Sequence, residues 1–179
     1  MDPLDGTKEF ISGNGEFTIN IALVKGKKPV MGAVSVPAKG DIYFAEKGKG
    51  AYKKDKNGIL SEINLKRREN GGAVILARSR SHKNIEEDGI ISKIGKIRTV
   101  FAGSALKFLL AAEGKADLYV RCGPTMEWDT AAGHCVLEEA GGILVSLNNR
   151  GFLYNKRVLK NPGFVCGREN IVEKCFENQ

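Results

Sequence analysis

The sequence has 179 residues, of which 42% are hydrophobic and 27% charged, a balance that predicts one or two small globular domains rather than a disordered chain. No run approaches the roughly 18 apolar residues of a membrane-spanning helix, and the N-terminus lacks the order of a secretion signal. We therefore expect a cytoplasmic protein with no transmembrane segment. The net charge of +7 favours anionic partners, but an aromatic content of 7% argues against nucleic acid.

The first part of the chain predicts an antiparallel meander. Apolar, β-rich runs cover residues 16–24 and 30–36, joined by a turn at 25–29, and a third run covers 41–45. Glycines and an asparagine between 48 and 58 indicate a further hairpin, and the polar stretch at 66–72 is the best candidate for a boundary. The predicted domains are residues 1–72, an antiparallel-sheet domain, and 73–179, an α/β domain.

From residue 73 strands and helices alternate, which predicts an α/β layer. A helix is expected to begin with an N-cap at Ser104 and to end at Gly114, with residues 108–112 in the core. A second helix, 129–140, is expected to stop at Gly141 and Gly142. The remaining predicted elements are strands at 73–77, 97–101, 116–121 and 143–146, and a helix near 84–93.

The segment DPLDGT at residues 2–7 places two carboxylates three residues apart around a proline, which disfavours a helix. Hard cations such as Mg²⁺ prefer oxygen ligands, so Asp2 and Asp5 with a backbone carbonyl between them form a partial metal site. Gly6 allows close approach of the backbone, and the amides of Gly6 and Thr7 suit a phosphate. Taken alone, the segment is better explained as a turn, because Asp-Pro and Asp-Gly are common in turns.

A second segment, WDTAAGH at residues 128–134, leads into an apolar helix. Asp129 alone is best explained as a helix N-cap, and we expect His134 to be a packed helix residue rather than a ligand. The four cysteines show no CxxC spacing, so reduced thiols are more probable than a zinc site.

Together and in this order, residues 2–7 and 128–133 resemble the paired signatures of the inositol monophosphatase superfamily. Residues 8–10, 79–82, 103–107 and 161–164 are similar to its bisphosphate nucleotidase branch, and the resemblance covers almost the whole chain. It implies an α/β fold, a layered αβαβα sandwich. It also implies Mg²⁺-dependent hydrolysis of the 3'-phosphate of 3'-phosphoadenosine 5'-phosphate, a small-molecule bisphosphate nucleotide, to AMP and phosphate. The alternatives are an inositol monophosphatase, against which residues 8–10 argue, and a catalytically silent remnant that binds anions.

The resemblance also implies roles for individual residues. Asp2, the Leu4 carbonyl, Asp5 and Asp129 would bind Mg²⁺, and Asp5 and Thr7 would be catalytic. The Gly6 and Thr7 amides would hold the scissile phosphate. The expected nucleotide contacts are His82, Ser104, Lys107, Arg121 and Asp129. Individually, these could be a surface loop residue (His82), a helix cap (Ser104) and solvated charges (Lys107 and Arg121).

Members of the superfamily carry helices and a further acidic metal motif before the first signature, which here begins at residue 2. The resemblance therefore predicts a site without a glutamate ligand and without the acidic partner of the Thr7 hydroxyl, at a cost of orders of magnitude in rate. It also predicts an exposed apolar face on the meander sheet, through which the chain would associate. A late start codon, a split gene and a deliberately cut chain remain open, as does a peripheral position at the inner membrane.

Overall fold

The computed structural model describes residues 1–65, 72–80, 85–148 and 151–177. An antiparallel six-stranded sheet comes first, and its strands lie side by side in chain order. They are β1 (Asp2–Asp5), β2 (Thr18–Lys25), β3 (Lys28–Val36), β4 (Asp41–Glu46), β5 (Ala51–Lys54) and β6 (Leu60–Ile63), and a short helix, α1 (Thr7–Ile11), follows β1. The predicted meander is confirmed. Its first turn is shorter than expected, because Lys28 already pairs with Lys25.

A five-stranded mixed sheet follows, in the order β11-β13-β9-β7-β8. Its strands are β7 (Val74–Arg78), β8 (Ile97–Phe101), β9 (Leu118–Arg121), β11 (Ile143–Ser146) and β13 (Phe164–Gly167). β7 runs parallel to both β8 and β9, and β13 is antiparallel to its neighbours. A separate pair joins β10 (Thr125–Met126) and β12 (Lys160–Asn161). The predicted strands of this sheet are therefore confirmed.

The helices form two layers. α3 (Leu106–Ala112) and α4 (Glu127–Glu139) lie between the two sheets, where α4 packs on β2, β3 and β4 and α3 packs on β7, β9 and β13. On the other face of the second sheet lie α2 (Ile85–Ile91), a 3₁₀ turn (Ser92–Ile94) and α5 (Glu169–Lys174). The described residues thus stack as sheet, helices, sheet, helices. The first residue of the helix predicted at 84–93 lies outside the described residues.

Two glycines allow α4 to approach its neighbours closely. A Cβ on Gly32 in β3 would lie 2.6 Å from the Ala132 carbonyl oxygen and 2.8 Å from the Cys135 Cβ. A Cβ on Gly133 in α4 would lie 2.7 Å from the Cγ of Phe108 in α3. Side chains at these positions would push α4 away from the sheet and from α3. The glycines therefore set how closely α4 packs on the sheet and on α3.

The core between the sheets is aromatic and continuous. Phe108, Tyr119, Phe152 and Phe164 form a cluster with ring centroids 5.2 to 5.6 Å apart. The prediction that 108–112 belongs to the core is confirmed, with Leu110 partly buried. His134 is fully buried and its Nδ1 lies 2.9 Å from the Tyr154 hydroxyl, so it is the packed helix residue that the sequence predicted.

The face of the first sheet opposite α4 is apolar and exposed. Paired positions on β2, β3 and β4 place Ile21, Leu23, Met31, Ile42 and Phe44 on this face, which we call the outer apolar face. Their exposed fractions range from 37% to 57%. Four of them, all except Ile42, line a shallow groove of about 600 Å³. The prediction of an exposed apolar surface on the meander is confirmed.

Two predicted helix starts are wrong. α3 begins at Leu106, because Ser104 has a φ of +49°, outside the helical region, and Ala105 is the N-cap. α4 begins two residues early, at Glu127 with Met126 as N-cap, so Asp129 is the third helical residue. The first sheet ends at Ile63 and the second begins at Val74, and the domain boundary at residue 72 stays a prediction. Among the described residues, no helix is long and apolar enough to cross a membrane.

Candidate active site

Three carboxylates meet at the edge of the first sheet. Asp2 and Asp5 lie on β1 and Asp129 lies in the first turn of α4, and one oxygen of each is within 4.8 Å of the others. Residues three apart in a regular strand point to opposite faces. The pairing of β1 with β2 is irregular between Asp2 and Asp5, and this irregularity lets both side chains reach the same site. Within the described parts of the chain, no other cluster of potential metal ligands of this kind occurs.

Asp5 is the most firmly held of the three. Its Oδ2 accepts hydrogen bonds from the Ala105 amide at 2.9 Å, from Thr18 Oγ1 and Asn20 Nδ2 at 3.3 Å, and from the Ser104 hydroxyl. These donors all reach Oδ2 and so fix the orientation of the carboxylate. Ser104, which the sequence presents as a helix cap, instead donates its hydroxyl proton to this carboxylate.

The surroundings of Asp129 disfavour its negative charge. Its carboxylate accepts a hydrogen bond of 2.7 Å from the amide of Met126, the N-cap residue. Asp129 therefore stabilises the start of α4 as the third helical residue, and not as the predicted N-cap. Burial raises the pKa of Asp129 to about 6, and the negative charges of Asp5 and Asp2 add to the effect. Trp128, which precedes it, is 40% exposed. A bound cation would relieve this repulsion.

Gly6 shapes the connection between β1 and α1. Its φ of +85° is in the left-handed region, where a side chain is strained. A Cβ there would also lie 3.1 Å from both Glu9 Oε2 and Ser104 Cβ. A glycine is therefore required for the backbone to pass this closely to the turn that holds Asp5.

A cavity of about 180 Å³ adjoins the carboxylates and brings most of the predicted residues together. The predicted residues that line it are Asp5, Gly6, Ser104, Lys107, Arg121 and Asp129. Asp2 joins through the carboxylate cluster, whereas Leu4 lies in β1 and Thr7 is exposed at the start of α1. His82 lies outside the described residues.

The cavity also contains residues to which the sequence analysis gave no individual role. Lys8 and Glu9 directly follow the first motif, so their position in the sequence could have indicated them. Ser79 follows β7 and belongs to the segment 79–82 of the family resemblance. Tyr119, Thr125 and Thr130 carry no comparable signal, because they reach the cavity from β9, β10 and α4.

The two predicted cations of the site differ in their surroundings. The Lys107 ammonium is buried and donates to the carbonyls of Ser104 at 2.8 Å and Ala102 at 3.2 Å, and it lies 5.3 Å from the centre of the Tyr119 ring. Burial lowers the pKa of Lys107 to about 8. Arg121, at the end of β9, is partly buried and lines the cavity. Of the two, Arg121 is therefore the one placed to meet a ligand in the cavity.

Comparison with known proteins gives one consistent result. The model of the inositol monophosphatase family matches residues 1–176. The chain is 44% identical over 165 residues to the 3'(2'),5'-bisphosphate nucleotidase CysQ of Salmonella typhimurium and to that of Escherichia coli, which covers 92% of this chain and 65% of each relative. The crystal structure of CysQ from Bacteroides thetaiotaomicron superposes with a TM-score of 0.86 at 41% identity, over 94% of this chain and 68% of that one. The chain thus spans about two thirds of these relatives.

Proposed function

The chain belongs to the inositol monophosphatase family, and on that basis we propose that it hydrolyses the 3'-phosphate of 3'-phosphoadenosine 5'-phosphate, which gives AMP and inorganic phosphate. The observation that carries the proposal is the cluster of Asp2, Asp5 and Asp129 beside a cavity that contains Arg121. The similarity to two proteins named as bisphosphate nucleotidases supports this substrate over an inositol phosphate.

The proposed cofactor is Mg²⁺, held by Asp2, Asp5, Asp129 and the Leu4 carbonyl. The donor set fits, because it consists of oxygen atoms, which hard divalent cations prefer. The raised pKa of Asp129 fits as well, because burial and two neighbouring carboxylates disfavour its ionised form, which a bound cation would stabilise. Such a cation would offset charge on a phosphoryl group and activate water.

The protein's own groups would bind and orient the substrate. In this proposal the amides of Gly6 and Thr7 hold the scissile phosphate, and Asp5 and the Thr7 hydroxyl are the catalytic groups. Arg121 is proposed for the second phosphate, since a guanidinium can donate two parallel hydrogen bonds to phosphate oxygens. Ser104 and Asp129 border the same cavity, and His82 remains a proposed nucleotide contact.

The test is phosphate release from 3'-phosphoadenosine 5'-phosphate by the purified chain, with Mg²⁺ and with EDTA, beside an inositol monophosphate. We expect release that requires the cation and is faster with the nucleotide. Asp5→Asn should abolish release while the fold persists, and Glu139→Gln, at the far end of α4, should not change it. If the folded protein releases no phosphate, the proposed activity is refuted, and nucleotide binding by calorimetry would then favour an anion-binding remnant.

A second proposal on partners concerns the outer apolar face. We propose that in the isolated chain this face associates with a second copy, because its five large apolar side chains are exposed and a two-fold contact would cover the same patch on both copies. Sedimentation over a range of concentrations should show a dimer that Leu23→Lys abolishes. Ile59→Lys, at an equally exposed apolar residue outside the groove, is the control. A dimer that survives Leu23→Lys contradicts the proposal.

The proposed location is the cytoplasm. All four cysteines are free, and reduced thiols are typical of that compartment. Cell fractionation would distinguish this location from a peripheral position at the inner membrane, where salt would release the protein.

A further inference from the structure

We propose that Glu16 and Lys107 are positioning residues that hold the backbone turn at 102–105, here called the site turn, against Asp5. This inference rests on the proposed cation site, because it concerns how one of its ligands is oriented. The family resemblance suggests a direct nucleotide contact for Lys107 and gives no role to Glu16. The contacts of both residues lead instead to the backbone of the site turn.

The site turn supplies two of the donors that orient Asp5. The Ser104 hydroxyl and the Ala105 amide both donate to Asp5 Oδ2. The Ser104 hydroxyl also contacts Thr18 Oγ1, which donates to the same oxygen. A displacement of the turn would therefore remove two of the four hydrogen bonds described for Asp5 Oδ2.

The turn has an unfavourable conformation that must be held by its surroundings. Ser104 has a φ of +49°, in the left-handed region that non-glycine residues rarely adopt. Gly103 is crowded, because a Cβ there would lie 2.5 Å from Glu9 Cγ. The backbone alone does not favour this arrangement, so hydrogen bonds from outside the turn decide whether it persists.

Lys107 supplies such bonds from the protein interior. Its ammonium has three protons and donates to the carbonyls of Ala102 and Ser104, on both sides of Gly103. The side chain is 5% exposed and lies over the Tyr119 ring. Without the ammonium, both carbonyls would lose a charged partner in a buried place.

Glu16 holds the same turn from the other side. Its Oε2 accepts a hydrogen bond of 2.8 Å from the Gly103 amide. Arg80 pairs with the same carboxylate and fixes its direction. Carbonyls bound by Lys107 and an amide bound by Glu16 thus restrain three consecutive residues of the turn.

The experiment compares Lys107→Met and Glu16→Gln with the wild-type chain. Glu113→Gln is the matched control. Glu113 is the C-cap residue of α3 and forms ion pairs with Lys53 and Lys115, but it does not touch the site turn. The first measurement is hydrogen exchange of the Gly103 and Ala105 amides without metal. The second is binding of Mn²⁺ by calorimetry without nucleotide.

We expect exchange at these amides to be about tenfold faster in both variants, because local opening becomes easier by that factor. The affinity for Mn²⁺ should fall by about five- to tenfold, and the control should match the wild type in both measurements. A merely structural role would lower the melting temperature without changing the exchange of these two amides relative to the amides of α3.

Two results would overturn the inference. Unchanged exchange at Gly103 and Ala105 in the variants would show that the residues do not hold the turn. Weaker nucleotide binding by Lys107→Met, with exchange and Mn²⁺ affinity unchanged, would show a direct substrate contact. If the wild-type chain itself binds no Mn²⁺, the proposed cation site fails, and exchange alone decides whether the turn is held. If Lys107→Met does not fold, the exchange and Mn²⁺ measurements on Glu16→Gln decide whether the turn is held from outside.

Discussion

Replacement of Asp129 by asparagine should stabilise the protein in the absence of metal. The carboxyl group has a pKa of about 6 in the fold against 3.8 in a model compound, mainly because of burial and then because of Asp5 and Asp2. The difference corresponds to about 3 kcal/mol between the two protonation states, which solvent at this partly exposed side chain reduces to about 1–2 kcal/mol. Asparagine removes the charge and retains an oxygen that can accept the Met126 hydrogen bond.

The sign of the effect depends on pH. A carboxyl group with a raised pKa destabilises the fold only when it is ionised, so the penalty is complete above about pH 6 and disappears below about pH 3.8, where the folded and unfolded chains both bind the proton. Asp129→Asn should therefore raise the melting temperature by about 3–6 °C at neutral pH in EDTA. The gain should shrink as the pH falls through this window.

Calorimetric melting in EDTA at several pH values is the assay, and a Mg²⁺ titration completes it. The melting temperature of the wild type should rise with the Mg²⁺ concentration, because the cation binds the folded state, whereas that of Asp129→Asn should rise little. Glu139→Gln, which removes a carboxylate at the opposite end of α4, is the control, since Glu139 bonds the Gly48 and Gly50 amides and is not part of the acidic cluster. If Asp129→Asn is no more stable than the wild type at neutral pH, burial and the neighbouring carboxylates do not penalise the ionised form of Asp129 as inferred.

Three further predictions concern the scaffold of the site. Gly32→Ala should cost about 1–3 kcal/mol in urea unfolding, because the added carbon meets the Ala132 carbonyl at 2.6 Å; Gly151→Ala, at a glycine that is also outside the left-handed region but in open space, is the control for crowding. Tyr154→Phe should cost about 1–2 kcal/mol by the same measure, because it leaves the Nδ1 of buried His134 without its 2.9 Å partner; an unchanged midpoint would contradict this. Burial opposes ionisation of Glu127, but bonds from Lys156 and from the Asn155 amide lower its pKa on balance, so Glu127→Gln should destabilise the fold at neutral pH and progressively less as the pH falls below 4.5. A loss independent of pH would refute the last of these.

The strands could be predicted from the sequence because apolar, β-rich runs are separated by turns that contain glycine. In β4 the buried positions Asp41, Tyr43 and Ala45 alternate with exposed Ile42 and Phe44. The pattern could not show which face is covered, since apolar residues occupy both faces. Only the packing of α4 on one face of the sheet identifies the other as the outer apolar face.

The site was less accessible to sequence reasoning. The pairing of the two aspartate motifs came from resemblance, since either motif alone is explained by a turn or a helix cap. Ser104 was expected to cap α3 because serine favours that position, but bonds to Asp5, which is distant in the chain, override the local preference. The contact of Glu16 with the Gly103 amide likewise joins residues 87 positions apart, and no local pattern encodes it.

The chain has one tryptophan, and it lies next to Asp129 in the first turn of α4. Its fluorescence therefore reports on the place where α4 meets β1, two segments separated by most of the chain. Contacts of such long sequence separation form late in folding, because the connecting loop must first be closed. In a refolding experiment, the slow phase of Trp128 emission should coincide with the recovery of cation binding, and the emission follows assembly of the site without any added label.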